Sequence, residues 1–154
     1  MSCILAALDF GPAHSSVIDA AGDLAQAFRL PVHLVHVRAA SNQRTEFVVH
    51  TDDPGYSKRL RREQRDLDND VLKLRTMGLT VKVHLPRGDR AGEIIALAGQ
   101  IHARYMVLGA REPSALRHLA VGSVPAEVLR RSPVPVVFSG HWQRIKSVPD
   151  AKAN

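Results

Sequence analysis

A single cysteine, Cys3, stands in a chain of 154 residues, and aromatic side chains make up only 5% of it. One thiol can neither close an internal disulfide nor build a thiolate metal site, which suits a reducing compartment and makes a cytoplasmic location the expectation. So few aromatics argue against a surface that stacks unpaired bases, and nucleic acid is not an expected partner. Long hydrophobic runs are missing too: the stretch from Cys3 to Leu8 is typical, and Asp9 follows it directly. Neither a membrane span nor a secretory signal is therefore expected. The Walker-type phosphate loop, the dinucleotide fingerprint G-x-G-x-x-G, the nucleophile elbow G-x-S-x-G and the zinc-helix pattern H-E-x-x-H are all absent. Eight histidines are present, but His33 and His36 lie three apart on a predicted strand and face opposite sides. No metal or redox cofactor is expected, no catalytic residue is assigned, and efficient turnover is not anticipated.

With 45% hydrophobic residues the chain can bury one sizeable core, and its length suits one domain rather than two. Residues 1–140 read as that domain and 141–154 as a tail carrying the only tryptophan, Trp142. Lysine and arginine number 21 against 15 aspartate and glutamate, leaving +6, so anions are drawn at long range.

Cys3-Ile4-Leu5-Ala6-Ala7-Leu8-Asp9 is a nearly continuous apolar run ending in an acid, the mark of a strand covered on both faces. After Phe10-Gly11-Pro12, residues Val17, Ala20, Ala21, Leu24 and Phe28 recur at helical spacing; Pro31 ends that helix and opens a strand over Val32–Val37. Residues 38–57 have no sustained period and include Asp52-Asp53-Pro54-Gly55, as a surface loop would. From about Ser57 to Met77, Leu60, Leu67, Val71 and Leu74 fall on one helical stripe, with Gly78 at its end. The basic run Lys58-Arg59-Leu60-Arg61-Arg62-Glu63-Gln64-Arg65 is followed by Asp66, Asp68 and Asp70, and reads as a solvated helix face.

Thr80–Leu85 alternates, with Val81, Val83 and Leu85 on one side and Lys82 and His84 on the other, as in a half-exposed strand near a sheet edge. A helix over about Ala91–Ala103 rests on Ile94, Leu97, Ala98 and Ile101, and a buried strand, Tyr105–Leu108, ends at Gly109. The last helix starts near Gly122-Ser123 and tolerates Pro125 in its first turn, where an N–H lacks an intrahelical partner anyway. Pro133–Phe138 closes the pattern as an edge strand, the place where prolines are allowed.

Strands alternating with helices predict an α/β doubly wound, mostly parallel sheet of five strands. The first and fourth strands are the most apolar, and the third and fifth look like edges, so the expected order is 3-2-1-4-5. Ligands bind such sheets outside the carboxyl ends of the strands, where the order reverses. Asp9 and Gly109 stand at that point.

Gly109, Gly122 and Ser123 match the pattern G-x2-G-x9-G-S/T. Together with Asp9-Phe10, His36-Val37, Gly88 and Pro133-Val134-Pro135-Val136, they make residues 3–139 resemble the universal stress protein family. The resemblance implies a flavodoxin-like sheet, a stress-responsive or regulatory role, a homodimer and, in nucleotide-binding members, ATP with magnesium along the crevice. It sets Ala7, Leu8 and Asp9 near adenine and ribose, and the Val37 backbone at the adenine edge. It wraps Gly109, Ala110, Arg111, Glu112, Pro113, Ser114 and Ala115 around the phosphates, with Gly122, Ser123, Val124 and Pro125 at the helix mouth. The physics agrees, since a glycine lets a phosphate approach the backbone and a serine at a helix start adds a hydroxyl to free N–H groups.

Glu112 departs from the pattern: it replaces the second glycine and brings negative charge where phosphates would lie. Pro113 removes a backbone donor nearby, while Arg111, Arg117 and His118 are close enough in sequence to offset the charge. Simpler readings stand beside these: Asp9 as a turn or helix cap, Ser123 as an N-cap, Gly109 and Gly122 as turn glycines. Three functions stay open, namely an adenine-nucleotide-binding regulator, a nucleotide-independent dimeric module with an unidentified protein partner, and a weak metal-dependent ATPase acting through Asp9. Val134, Val136 and Phe138 are the expected dimer residues, on an edge strand that can pair with its copy.

Overall fold

The computed structural model describes residues 1–38, 54–110 and 123–140. The central strand, β1 (Cys3–Ala7), buries Cys3, Ile4, Leu5 and Ala6 consecutively. It can do so because β2 (Val32–Val35) and β4 (Ala103–Gly109) flank it, while β3 (Val81–His84) pairs outside β2 and β5 (Val136–Ser139) outside β4. All four pairings are parallel, in the expected order β3-β2-β1-β4-β5.

Successive side chains on a strand point to opposite faces, so the sheet feeds two cores. Ile4, Ala6, Val32 and Leu34 pack against α1 (His14–Phe28) and α2 (Pro54–Thr76). Cys3, Leu5, Val35 and Met106 pack against α3 (Arg90–Gln100) and α4 (Val124–Arg131). Burial pushes the Cys3 thiol up from its ordinary value, which makes it a packing group rather than a nucleophile. Leu67 and Leu74 anchor the long α2. Polar contacts fix its direction: His14 Nε2 donates to Asp70 at 2.7 Å, Lys73 pairs with Asp19, and Gln26 donates to the Met77 carbonyl at 3.1 Å. Gly78, at φ 82°, supplies the left-handed turn that follows.

Several boundaries differ from the sequence reading for local reasons. α1 stops at Phe28 because Arg29 turns left-handed (φ 55°) and directs its N–H to the Ala25 and Gln26 carbonyls, before Pro31 is reached. Its buried stripe is Val17, Ile18, Ala21, Gly22 and Ala25. Phe28, expected on that stripe, is 36% exposed and stacks on Tyr105 beneath Arg104. α2 starts at Pro54 rather than near Ser57, since proline suits a first helical turn. Residues 39–53 of the expected loop, and the tail 141–154, lie outside the described residues. α3 ends at Gln100; His102, at φ 53°, then turns the chain so that Ala103 opens β4 instead of ending the helix. The β5 ladder begins at Val136, because Pro133 and Pro135 have no N–H to give. On β3 only Val81 reaches the core, and Val83 and Leu85 stay exposed at the edge.

His33 and His84 stack beside that edge, with His84 Nε2 at 3.0 Å from His33 Nδ1. Burial, reinforced by His84 and Lys82, holds His33 below its ordinary value of 6.5, and burial with Lys82 does the same to His84. Such a group stays neutral in the fold while the unfolded chain takes up the proton. The stability is therefore fully present above pH ~6.5 and is lost as the pH falls through the folded values. Thermal denaturation followed from neutral pH downward should show a falling midpoint, with a shallower fall in His84→Gln. An unchanged slope in the variant would remove this pair from the acid sensitivity.

Candidate functional site

At the carboxyl ends of β1 and β4 a crevice of about 120 Å³ opens, lined by Ala7, Leu8, Asp9, His36, Val37, Arg90, Ile94, Leu108, Gly109, Val124 and Pro125. Leu8, Val37, Ile94 and Leu108 are nearly buried and form an apolar wall. Asp9 and Arg90 supply opposite charges at its rim. This volume is below the few hundred Å³ typical of pockets that enclose a drug-sized ligand, so these walls suit part of a nucleotide rather than all of it.

Local chemistry explains how each residue arrives there. Asp9 Oδ1 accepts from the Gly11 N–H at 2.8 Å, closing a turn through Phe10. Phe10 adopts φ 57°, a left-handed conformation that costs an L-residue roughly 1–2 kcal/mol. Two ring contacts hold it, with His14 at 4.9 Å and His36 at 4.8 Å between centroids. His36 is itself fixed by Nδ1, which donates to the Leu8 carbonyl at 2.9 Å, and its Nε2 lies 3.7 Å from Glu63. The strained turn thus couples the ends of β1 and β2 to α1 and α2.

Ser123 is the N-cap of α4, its Oγ accepting from the Ala126 N–H at 3.3 Å. The cap uses the oxygen as acceptor and leaves the hydroxyl proton available to donate. Pro125 has no N–H, so Ser123 and Val124 are the backbone donors remaining at the helix mouth. Gly109 lines the crevice and has a packing role besides. A Cβ there would stand 2.9 Å from Ala13 Cβ and 3.4 Å from Val17 Cγ2, so its missing side chain admits α1 against β4. Ala110 follows it, buried, with its N–H donating to the Ser139 carbonyl at 2.8 Å.

Of the residues expected at the site, Ala7, Leu8, Asp9, Val37, Gly109, Val124 and Pro125 line one crevice. Ser123 adjoins it as the cap of α4, and Ala110 is buried next to Gly109 without lining it. Arg111, Glu112, Pro113, Ser114, Ala115 and Gly122 lie outside the described residues. His36, Arg90, Ile94 and Leu108 also line it and were not among the expected site residues. The turn from β3 into α3 opens at the same end of the sheet, and the cap Asp89, accepting from Gly92 at 2.8 Å, sets Arg90 in the first turn. That sequence signal was available. Among the described residues no group of three or more histidine, cysteine, aspartate or glutamate side chains is placed to hold a metal ion. No helix among them is long and apolar enough to cross a membrane.

A five-stranded parallel sheet with its crevice at the order reversal is the ligand-binding form of a doubly wound α/β protein. The family model described as the universal stress protein family matches residues 1–139, and the chain belongs to that family. No curated protein sequence matches it significantly. Among solved structures it is similar to the universal stress protein from Archaeoglobus fulgidus in complex with dAMP, at 20% identity and a TM-score of 0.66, covering 90% of this chain and 98% of that one. It is also similar to a family member from Burkholderia pseudomallei, at 26% identity and a TM-score of 0.64, covering 89% and 94% of the two chains. A universal stress protein in complex with cAMP matches at 20% identity and a TM-score of 0.64, covering 89% and 94%.

The contact at Gly109 generates a direct expectation. Gly109→Ala should destabilise the fold by about 1–3 kcal/mol, as overpacking does, and Ala13→Gly in the same chain should restore part of the loss. Denaturant unfolding reads both. Full stability in Gly109→Ala would show that close helix approach is not what this glycine serves.

Proposed function

We propose that the protein is a stress-response regulator that binds an adenine nucleotide, ATP, in the crevice between β1 and β4 and acts by binding rather than turnover. The observation carrying this reading is the crevice itself: an apolar wall sized for part of a nucleotide, with a carboxylate, a guanidinium and a capping serine at its rim. Leu8 and Val37 would contact the base, Asp9 would accept from ribose hydroxyls, and Arg90 with the Ser123 hydroxyl would face the anionic part. Magnesium, when it accompanies ATP, supplies charge neutralisation to the phosphates. The dAMP and cAMP complexes of related proteins support the ligand class. A cytoplasmic location and a homodimer complete the proposal. In β5, Val136 and Phe138, with Val134 just before it, pack half-buried against the α3 and α4 side, so the edge offers backbone donors and acceptors to a second copy.

One set of observations favours the nucleotide-independent module. Gly109 is accounted for by packing against Ala13, Ser123 by capping, and Asp9 by the turn to Gly11. Calorimetric titration with ATP, with and without magnesium, separates the readings. Nucleotide binding predicts a saturable isotherm, its loss in Ser123→Trp, and binding in Glu112→Gly tighter by up to about tenfold, the effect of removing ~1.4 kcal/mol of charge repulsion. A titration that stays flat into the millimolar range would leave the dimeric module in its place.

A further inference from the structure

Beside the nucleotide crevice, and sharing Asp9, His36, Val37 and Arg90 with it, lies a second groove of about 510 Å³. Five arginines line it: Arg38, Arg59, Arg62, Arg87 and Arg90. Only Asp9, Glu63 and Asp66 oppose them there. Glu63 is already engaged by Arg59 at 3.5 Å and faces His36 at 3.7 Å, and Asp9 is held by the Gly11 N–H. Among the described residues, Arg59 alone of the five makes an ion pair.

The backbone forces part of this crowding. Arg38 and Arg87 are bridge partners, with the Arg38 N–H donating to the Pro86 carbonyl at 2.9 Å and the Gly88 N–H to the Arg38 carbonyl at 3.1 Å. Like charges set side by side on paired strands are destabilising without a counter-charge. Arg38 Nε is moreover buried with no hydrogen-bond partner among the described residues, a state that normally costs free energy until an acceptor arrives. Helix α2 brings Arg59 and Arg62 across from this pair, and Tyr56 adds a phenol to the wall.

From this we infer that the groove is an anion site for a compact ligand carrying several phosphoryl groups. Guanidinium forks match phosphoryl oxygens two at a time, and arginines arriving from α2, α3 and both bridge strands approach such an anion from different directions. The cluster is concave and local rather than a stripe along a face, which suits a compact anion better than a nucleic-acid backbone. The site does not depend on adenine-nucleotide binding in the neighbouring crevice. Its phosphoryl groups come either from a free polyphosphate or from a nucleotide whose base occupies that crevice.

The test is a titration of the full chain with inorganic tripolyphosphate, at low and raised salt, for the wild type and for Arg62→Gln/Arg87→Gln. Saturable binding that weakens steeply with salt, and by about tenfold or more in the double variant, is the expected result. Arg62→Gln and Arg62→Lys, singly, guard against a folding defect: both exchange an exposed α2 residue, and the lysine should retain more affinity than the glutamine. Parallel ATP and adenosine titrations identify the source. Weaker ATP binding in the double variant with adenosine unchanged assigns the site to the nucleotide's own phosphates, and a loss confined to tripolyphosphate assigns it to a free anion. No tripolyphosphate binding, or tripolyphosphate binding indifferent to these substitutions, overturns the site. Because tripolyphosphate carries no base, this arm is readable even if the crevice binds no nucleotide.

Discussion

The structure depends on β1 being apolar on both faces. Cys3 and Leu5 feed one core while Ile4 and Ala6 feed the other, so neither helical layer can be removed without exposing half of the central strand. Burying a large aliphatic side chain stabilises the fold by roughly 1.5–3 kcal/mol, and β1 does so toward both layers. A parallel strand in that position must be paired on both edges and reached by crossovers, and the order reversal between β2 and β4 follows from it. The crevice is the consequence: with the chain leaving β1 toward one layer and β4 toward the other, the strand ends part and leave a gap.

Chemistry at this gap comes from turns rather than from strand faces. The Asp9–Gly11 turn strains Phe10 into a left-handed conformation, and the rings of His14 and His36 hold it. His14 in turn bonds Asp70, and His36 faces Glu63, so α2 is tied to the same corner. This network presents Arg59 and Arg62 toward the bridge of Arg38 and Arg87. One corner thus combines an apolar crevice with a groove lined by five arginines.

Most of the fold was legible because the central strands are hydrophobic without interruption and the helices carry clean stripes. The strand order followed from ranking those strands by apolarity. Boundaries were less legible where a non-glycine residue takes positive φ: Arg29 and His102 end their helices by conformation, which composition does not reveal. Phe28 was misplaced because spacing cannot distinguish packing on α1's buried stripe from stacking on Tyr105 and Arg104. Of the crevice-lining residues, Asp9 and Gly109 were placed by the strand ends at the order reversal, whereas Leu8, Val37 and Val124 were named only through the resemblance to the universal stress protein family. The packing role of Gly109 was not legible, since a three-dimensional neighbour, Ala13, sets it. The arginine groove escaped for a related reason: only the fold brings Arg38 and Arg87 opposite Arg59 and Arg62 on the exposed face of α2.

Nucleotide binding at the β1–β4 crevice is tested most directly by amide chemical-shift mapping of the isotopically labelled protein during addition of ATP. The shifts should be confined to Leu8, Asp9, Val37, Arg90, Gly109 and Val124 and their immediate neighbours, and should saturate. Shifts absent at millimolar nucleotide, or clustered on the β3 edge or the outer face of α4, would contradict binding at this crevice.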